Sequence, residues 1–471
     1  MTPQHLEELA GRALAEARPT VYWTDRPDAP EPVPPLVEAA RADLVVIGGG
    51  LTGLWAAIQA LEDDPSADVV LLEARSVGHG ASGRNGGFLA GSLTHGLAHG
   101  VATWPHQTET LLRLGRENLA AIADFAVRHG IDADLRMCGK TTVAVRPHQV
   151  AVLQASARLH VEHGEDAAFL DAAAVRADID SPTYLGGLRV RSNYGLVDPA
   201  RLCWGLLRVA RELGARIHEG SAVTGLERLR DGVRVRTATG SIDARRVVIA
   251  TNAFPGPLRR LRSWVLPVYD HVLVTEPLGA ERLERLGWRE NQGVSDAGNQ
   301  FHYYRRTPDD RILWGGYDAI YYFGNRIDVA LEQRPASHRL LARHFFETFP
   351  QLEDLRFTHR WAGVIDSTTR FTPVFGTALG GRVAYAVGFT GLGVGSSRFG
   401  ARVALDLVGG RETERTRLDM VHRKPVPFPP EPLRWAVVQV TRGALARQDR
   451  DGGQRGLWLR TLDRFGVGFN S

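Results

Sequence analysis

Three glycines at GxGxxG spacing follow a short apolar run near the start of the chain. Gly48, Gly50 and Gly53 come after the run Asp43 to Ile47 and open a segment with helical periodicity. In this pattern the first glycine allows a tight turn, the second lets the backbone approach a pyrophosphate, and the third lets helix and strand pack closely. The free N–H groups at the start of the helix then point at the phosphates. The spacing therefore predicts a dinucleotide-binding turn.

A carboxylate stands where a ribose would lie. Val69 to Leu72 is predicted as a second buried strand, and Glu73 follows it, twenty residues beyond Gly53. We expect Glu73 to accept hydrogen bonds from ribose hydroxyls, which implies a free 2′-hydroxyl because a 2′-phosphate would be repelled. A glycine-rich turn can serve only to bend a chain, but here the strand, helix, second strand and acid occur together. The motif alone does not distinguish NAD from FAD.

The composition is that of an ordinary globular protein of 471 residues, long enough for two connected domains. A net charge of +4 without a long basic run does not indicate nucleic-acid binding. Cys138 and Cys203 stand far apart and outside any cluster of histidines, so we predict neither a disulfide framework nor a metal site. No apolar run of about 18 residues occurs, which predicts no membrane span and, by default, a cytoplasmic location.

Apolar periodicity predicts the elements that must position these groups. The predicted strands are 141–145, 215–218, 222–229, 232–237, 247–250 and 382–387, and the predicted helices are 109–129, 199–213, 396–408 and 433–445. The proline-rich segment 26–35 must be extended, either as an arm packed on the body or as a disordered tether. Helix 433–445 is amphipathic, which favours docking on the body or on a subunit, with association at a membrane surface as the alternative.

Four blocks of sequence carry a family resemblance. The blocks are VVIGGGLTGLWAA from Val45, GASGRNGGF from Gly80, VVIATNAF from Val247 and GFTGLGVGSSRFG from Gly388. Weaker signatures are GLVDPARL from Gly195, VLVTEPL from Val272 and RILWGG from Arg311. Together they resemble the D-amino-acid oxidase (DAO) superfamily of flavoproteins, most closely its gamma-glutamylputrescine oxidoreductase-like branch. The resemblance spans about residues 43 to 410, and its later blocks favour FAD over NAD.

The resemblance implies an α/β fold, α+β overall, with a Rossmann-like FAD-binding domain assembled from discontinuous segments and a mixed-sheet substrate domain. The implied FAD-binding domain comprises residues 43–110, 190–255 and 361–412. The implied substrate domain comprises residues 111–189 and 256–360. An N-terminal arm, 1–42, and a C-terminal extension, 413–471, complete the chain.

The resemblance also implies a set of FAD contacts. The pyrophosphate and adenosine end would take Gly48, Gly50, Gly53, Glu73 and, near the adenine, Val223. The pyrophosphate, ribityl chain and flavin edge would meet Ser82, Arg84, Asn85 and Gly86, with Thr251 near the cofactor at a strand end. Backbone N–H groups of Gly391, Leu392, Gly393 and Val394 would bind the ribityl and pyrimidine side. A helix start at that point would stabilise negative charge on reduced flavin.

The chain departs from the family at points that bear on flavin attachment. Many members have GHG where this chain has Gly391-Leu392-Gly393. Some relatives attach the flavin through a cysteine in the third flavin-binding stretch or through a histidine after the ribose-binding acid. Here neither cysteine lies in that stretch, and Arg84 stands about where the histidine would fall. We therefore predict non-covalent FAD, with attachment at His79 as the alternative.

The family's chemistry is oxidation of a C–N bond in an amine or amino acid. A hydride passes from the carbon beside a neutral amine to flavin, and water hydrolyses the imine. The site needs an apolar or aromatic wall and a polar anchor for the rest of the substrate. Substrate identity and oligomeric state are not readable from this pattern.

Aromatic and basic candidates for the site concentrate after residue 300. On a strand, His302 and Tyr304 would share one face and Tyr303 and Arg305 the other, so only one pair can line the site. We select His302 and Tyr304. The alternative is that these are half-buried strand residues without a role in chemistry.

Two more candidates precede the glycine-rich turn that begins at Gly388. Trp361 and Arg370 bracket the approach to it, and Arg370 is placed to clamp a carboxylate, unless it only forms a surface ion pair. Several relatives use a lysine near the flavin to promote reaction with oxygen. Neither Lys140, before a strand, nor Lys424, in a proline-rich tail, is expected there. Oxygen is the expected acceptor, and the alternatives are a dehydrogenase with another acceptor or a flavin-binding protein without turnover.

Overall fold

A computed structural model describes residues 1–467 of the chain. Its strands form two large sheets and one two-stranded ribbon. In chain order the strands are β1 (Ala39–Ile47), β2 (Val69–Leu72), β3 (Phe88–Ala90), β4 (Lys140–Ala144), β5 (Ala167–Asp171), β6 (Gly186–Val190), β7 (Tyr194–Leu196), β8 (Arg216–His218), β9 (Gly225–Arg228), β10 (Val233–Arg236), β11 (Ser241–Ile249), β12 (Leu266–Thr275), β13 (Gly293–Asp296), β14 (His302–Arg306), β15 (Ile312–Gly316), β16 (Phe357–Ser367), β17 (Val374–Ala378) and β18 (Val383–Val387).

The helices pack on the faces of the two large sheets. In chain order they are α1 (Pro3–Leu14), α2 (Leu51–Asp63), α3 (Leu97–Thr103), α4 (Thr108–Arg128), α5 (Pro147–Glu162), α6 (Ala172–Asp178), α7 (Pro199–Glu212), α8 (Gly279–Leu286), α9 (Pro335–Thr348), α10 (Gly393–Val408), α11 (Asp419–His422), α12 (Leu433–Arg450) and α13 (Leu457–Arg464). The α/β fold predicted from the sequence is therefore confirmed.

The first sheet is built around the apolar strand that precedes the GxGxxG motif. Its order is β17-β18-β11-β1-β2-β8, and β10 and β9 extend it from β11. β1 pairs in parallel with both neighbours, with Val45 opposite Val70 and Val247. One face packs on α2, α7 and α10, and the other packs on β10 and the segment 258–265. Because both faces are covered, the strands are apolar along their length rather than alternating.

The parallel strands of this sheet end at one edge, and the predicted cofactor contacts follow them there. Gly48 follows β1, Glu73 follows β2, Thr251 comes shortly after β11, and Gly388 follows β18. Ligands of open α/β sheets bind in the crevice outside the carboxyl ends of the strands. The topology thus gathers groups that are far apart in the sequence.

The second sheet has the order β16-β12-β15-β14-β13-β4-β6-β5. Its pairs are antiparallel except for the parallel pair of β13 and β4. One face packs on α9 and α1 through a large apolar cluster. The opposite face meets residues 80–87, which we call the glycine loop. We call that face of the sheet the inner face; it carries Asp270, Tyr303, Arg305 and Trp361.

The N-terminal arm is packed on the body. α1 lies against α9 in the second sheet's core. Trp23 is fully buried, and its indole N–H donates to the Asn85 carbonyl at 2.9 Å. Farther along, Leu36 N–H donates to Ser221 Oγ at 2.9 Å. The packed arm, rather than the disordered tether, is the alternative that the structure supports.

The C-terminal extension also docks on the body. α12 lies near the second sheet, where Asp449 accepts from Asn299 N–H at 3.0 Å and from Gln300 N–H at 2.9 Å. Arg434 donates to Asn325 Oδ1 at 2.8 Å. These contacts support docking as the role of this helix. The last four residues of the predicted extension lie outside the described residues.

Two segments lie differently from the predicted partition into domains. β16 pairs along its length with β12 in the second sheet, although 361–367 was expected in the FAD-binding domain. α4 was expected in the substrate domain, but its Phe125 packs on Trp55 in the core of the first sheet, with 4.8 Å between the ring centres. The predicted strand 222–229 is also shorter and is limited to β9. The remaining domain boundaries stay a prediction.

Candidate active site

The turn after β1 has the geometry that the GxGxxG spacing predicts. Gly48 has a φ of +112°, and a Cβ there would lie 2.5 Å from the Ala250 carbonyl oxygen. A Cβ on Gly53 would lie 1.8 Å from the Gly48 carbonyl oxygen, which is the close approach of helix and strand expected for the third glycine. Both positions therefore require glycine.

The start of α2 offers room and donors for a phosphate. Gly50 is the N-cap, has an extended backbone and contributes no side-chain cap. A Cβ there would lie 2.7 Å from Ser82 Oγ, which accepts from Leu51 N–H at 2.9 Å. Ser82 bonds one N–H of this helix start, and the other N–H groups of the first turn, with a glycine at the point of approach, form the usual cradle for a pyrophosphate. Ser82 brings the glycine loop to the same place.

Glu73 lies beside this turn. Its Oε2 accepts from Gly49 N–H at 2.6 Å and its Oε1 accepts from Arg75 N–H at 2.8 Å. Burial raises the pKa of Glu73, and these two N–H groups partly offset the effect. Ser221 N–H donates to the Glu73 carbonyl at 2.7 Å, which holds the segment carrying Val223 next to it. Glu73 and Val223 therefore lie close together beside the turn, as the predicted ribose and adenine contacts require.

The glycine loop is held in one conformation by a side chain of its own and by two tryptophans. Asn85 Oδ1 accepts from Gly87 N–H at 2.7 Å. The indole of Trp23 donates to the Asn85 carbonyl, and the indole of Trp361 donates to the Arg84 carbonyl, both at 2.9 Å. Buried N–H donors of this kind fix backbone carbonyls in place. The loop backbone is thus fixed by contacts within the protein.

Arg84 ties the glycine loop to the second sheet. Its guanidinium donates to the Ala362 carbonyl at 3.0 Å and pairs with Glu332 at 2.8 Å. Burial raises the pKa of Glu332, and Arg84 offsets part of that effect. The stem of Arg84 passes over Gly363, where a Cβ would lie 3.7 Å from the Arg84 Cδ. The charged head of Arg84 is therefore committed to protein partners.

The third flavin-binding stretch forms a second uncapped helix start. Gly388 and Gly391 have φ of +82° and +84°, and α10 begins at Gly393 with Leu392 as an N-cap that makes no side-chain bond. Asp366 Oδ2 accepts from Gly388 N–H at 2.5 Å and fixes the turn. Burial raises the pKa of Asp366 to about 6.

The residues at this edge of the first sheet fit FAD. Half-buried positions line a groove above fully buried strands: Gly48, Gly50, Glu73, Ser82, Arg84, Asn85, Val223, Thr251, Leu392 and Gly393. Two helix starts, at α2 and α10, present N–H groups for the pyrophosphate and for the pyrimidine side of a flavin. Gly53, Gly86 and Val394 are buried and support the groove, and Gly391 is exposed.

The structure places His302 and Tyr304, the pair selected from the sequence, on the face of β14 away from the glycine loop. Both are buried on the face of β14 that is covered by α9. His302 Nδ1 bonds Asp296 at 2.5 Å and its ring stacks on Trp314 at 4.6 Å. The Tyr304 hydroxyl shares a hydrogen bond of 2.7 Å with that of Tyr184. Side chains of a strand alternate between its two faces, so either pair could lie on the covered face. Here His302 and Tyr304 lie on that face, against the apolar cluster under α9.

Tyr303 and Arg305 are the pair on the inner face. The Tyr303 ring lies against the glycine loop, where a Cβ on Gly86 would be 2.6 Å from its Cε2. Its phenol donates to Asp270 Oδ2 at 2.5 Å. Arg305 is fully buried and donates to the Val197 carbonyl at 2.7 Å. Tyr303 is thus the aromatic residue of the inner face that meets the glycine loop, and Arg305 supports the loop.

Trp361 and Arg370, the other two predicted site residues, are both held by contacts within the protein. Trp361 is 1% exposed and holds the Arg84 carbonyl. Arg370 donates to the Met420 carbonyl at 3.0 Å and to the Arg423 carbonyl at 2.6 Å. Because its guanidinium bonds these carbonyls, it fixes the segment after α10 and is not available to bind a substrate carboxylate.

The two lysines lie in different surroundings. Lys140 begins β4 rather than preceding it, and burial lowers its pKa to about 8. Its Nζ lies 6.0 Å from the centre of the Tyr194 ring. Lys424 donates to the Phe375 carbonyl. β4 is four strands away from β12 in the second sheet, or about 19 Å at the usual strand spacing.

Three functional candidates were missed from the sequence: Asp270, Glu332 and Asp366. Asp270 is the only charged residue in an otherwise apolar and aromatic run, Leu266 to Thr275, apart from the neighbouring His271. A carboxylate in a buried strand is rare and needs a partner, so this position carried a usable signal. Glu332 lies in a connecting segment and carries no comparable signal.

Two observations on residues 1–467 concern other classes of function. No group of three or more His, Cys, Asp or Glu side chains converges there as a metal ion would require. No helix in that range is long and apolar enough to cross a bilayer. Cys138 and Cys203 are both free thiols.

The comparisons with known proteins agree with this geometry. Residues 43–407 match the DAO family, described as FAD dependent oxidoreductase. The chain is 33% identical to gamma-glutamylputrescine oxidoreductase of Escherichia coli (strain K12) over 417 residues, which cover 87% of this chain and 92% of that protein. Among solved structures, glycine oxidase from Bacillus cereus has a TM-score of 0.67 at 21% identity and covers 82% of this chain and 99% of its own. L-proline dehydrogenase from P. horikoshii has a TM-score of 0.66 at 19% identity, with 80% and 95% covered.

Proposed function

The chain belongs to the DAO family of FAD dependent oxidoreductases, and on that premise we propose that it oxidises the C–N bond of an amine of the gamma-glutamylputrescine type. FAD is its cofactor. The observation that carries the substrate class is the 33% identity to gamma-glutamylputrescine oxidoreductase over most of both chains. The alternative within the family is an amino-acid substrate, in keeping with the fold shared with glycine oxidase.

When bound, FAD supplies the hydride acceptor for the carbon beside the amine, and water hydrolyses the resulting imine. The chain's own residues perform the other tasks. The starts of α2 and α10 would hold the pyrophosphate and the pyrimidine side of the flavin. Tyr303 and the glycine loop would form the wall beside the reacting carbon. No charged general base at that carbon is needed, because the carbon loses a hydride rather than a proton.

We propose that FAD is held without a covalent bond and that the protein acts in the cytoplasm. Cys138 and Cys203 are both outside the third flavin-binding stretch, and the Arg84 side chain is held by Glu332 and Ala362. Acid denaturation is therefore expected to release all of the flavin into the supernatant. Flavin that stays with the precipitated chain would contradict this part of the proposal.

Oxygen is the proposed electron acceptor. The competing proposals are transfer to another acceptor and a flavin-binding protein without turnover. The test is turnover of gamma-glutamylputrescine, with the aldehyde product, ammonia, peroxide and reduction of an artificial acceptor measured in parallel. Aldehyde with stoichiometric peroxide supports an oxidase. Aldehyde that requires the artificial acceptor supports a dehydrogenase, and the absence of aldehyde under both conditions overturns the proposed reaction.

A further inference from the structure

A half-buried carboxylate faces the glycine loop from the inner face of the second sheet. Asp270 lies on β12, directly opposite Gly363 of β16. Directly opposed residues of an antiparallel pair project from the same side of a sheet. The stem of Arg84 crosses Gly363, so this side is the one that meets the glycine loop. Tyr303, which touches Gly86, bonds the same carboxylate.

Accessibility alternates along these two strands. On the inner face Val268, Asp270, Gly363, Ile365 and Ser367 are half-buried, whereas their neighbours on the other face, Tyr269, His271, Ala362 and Val364, are buried. A period of two in which only the inner face is accessible indicates an open cleft above these strands. The cleft has apolar walls, Val268 and Ile365, and one carboxylate. This matches a binding site with few polar groups in an apolar surround.

Within residues 1–467, the Asp270 carboxylate forms no ion pair. The groups that bond Asp270 are the Tyr303 hydroxyl and the Gly316 backbone N–H. His302 is near enough to favour the charged form, but it lies on the covered face and bonds Asp296. Burial outweighs these contacts and raises the pKa of Asp270 to about 6. A buried carboxylate that is bonded to neutral donors is stabilised most by a ligand that brings a positive charge.

The basic side chains around the cleft are committed elsewhere. The Arg84 head pairs with Glu332, Arg305 donates to backbone carbonyls, and Arg370 does the same at the segment after α10. Lys140 lies four strands away across the sheet. A carboxylate on the carbon beside the reacting nitrogen would therefore meet Asp270 without a compensating cation. Like charges at this distance repel.

We propose that Asp270, oriented by Tyr303, binds the reacting nitrogen of the substrate as an ammonium, accepts one proton from it so that the neutral amine is oxidised, and makes the enzyme prefer amines to α-amino acids. The inference rests on the proposed oxidation of an amine and names the residue that selects its substrate class. Tyr303 acts as a positioning residue for the carboxylate and as an aromatic wall. The ligand class is a primary or secondary ammonium without a carboxylate on the adjacent carbon.

The test measures binding of an amine that cannot react. tert-Butylamine has no hydrogen on the carbon beside its nitrogen, so its affinity for the oxidised holoenzyme is measurable by calorimetry without turnover. Asp270→Asn is expected to weaken binding at least about tenfold, the loss typical of a charged hydrogen bond. Asp296→Asn is the matched control, because Asp296 is also a carboxylate bonded to a ring but lies on the covered face.

Unchanged affinity in Asp270→Asn, or an equal loss in both variants, would overturn the inference. If Asp270→Asn does not fold, the wild-type protein still decides the matter. Its affinity for tert-butylamine must fall as the pH is lowered through about 6, and affinity that is constant across that range is evidence against Asp270. Because this ligand does not react, failure of the proposed oxidation would leave these results interpretable.

Discussion

The phenol of Tyr303 on β14 reaches the carboxylate of Asp270 on β12 across the strand between them, at 2.5 Å. The intervening strand is β15, and the ring passes over Gly315. A Cβ there would lie 2.7 Å from the Tyr303 Cζ and hydroxyl oxygen. The hydrogen bond therefore depends on Gly315, the first glycine of the RILWGG signature.

Gly315→Ala is expected to displace the Tyr303 ring and release Asp270. The clash should cost about 1–3 kcal/mol of stability, as for other overpacked sites. We also expect a several-fold rise in the dissociation constant for tert-butylamine, measured by calorimetry. Gly225→Ala is the control, since a Cβ on this strand glycine would have nothing within 4 Å. Wild-type affinity in Gly315→Ala would show that the phenol does not orient the carboxylate.

The pH dependence of kcat/KM for an amine should report Asp270. Its pKa is raised to about 6, so the group is ionised above that pH and protonated below it. Binding of an ammonium needs the ionised form, so kcat/KM should fall as the pH is lowered through about 6. The same limb should be absent in Asp270→Asn, measured by steady-state kinetics. A limb that persists in the variant belongs to another group, such as Asp366.

Arg370→Lys should reduce stability while leaving amine oxidation nearly intact. The arginine bonds four groups, namely the Thr372 hydroxyl and the carbonyls of Pro373, Met420 and Arg423. Lysine cannot reproduce this fork, and each unpaired buried carbonyl costs about 1–3 kcal/mol. We expect a loss of about 2–4 kcal/mol in urea unfolding. Unchanged stability with a raised KM would instead support the substrate clamp predicted from the sequence.

Gly50→Ala should weaken FAD binding. The added Cβ would lie 2.7 Å from Ser82 Oγ, in the turn that approaches the pyrophosphate. We expect at least about a tenfold rise in the FAD dissociation constant, followed by flavin fluorescence. Gly443→Ala is the control, because that helix position has open space around it. Equal FAD affinity in both variants would place the pyrophosphate elsewhere.

The cofactor groove could be predicted from the sequence because its groups are backbone features at fixed spacing. Glycines such as Gly48 and Gly53 are required by contacts within one βαβ unit, and Glu73 follows from the same unit. The other parts of the groove, which begin at Gly80 and Gly388, could be predicted from the family resemblance. The substrate side depends instead on which face of β14 is covered by α9. Tertiary packing decides which face is covered, and the local sequence pattern is the same for Tyr303 and Tyr304.

The role of Arg370 could not be predicted from the sequence for a similar reason. Its partners include the Met420 and Arg423 carbonyls, some fifty positions along the chain. An arginine that bonds backbone carbonyls has no sequence pattern of its own. Asp270 was different, because a lone acid in the run Leu266 to Thr275 indicated a site. The aromatic and basic residues after position 300 were predicted as site residues instead.

Anaerobic reduction of the bound flavin tests the central claim most directly, since it isolates the C–N oxidation from the identity of the acceptor. The holoenzyme is mixed without oxygen with gamma-glutamylputrescine, with putrescine, and with glycine and D-amino acids, and the loss of flavin colour is followed. The account predicts rapid bleaching by the amines and slow or no bleaching by the amino acids. Flavin that stays oxidised with every amine, or that is bleached by the amino acids alone, would contradict it.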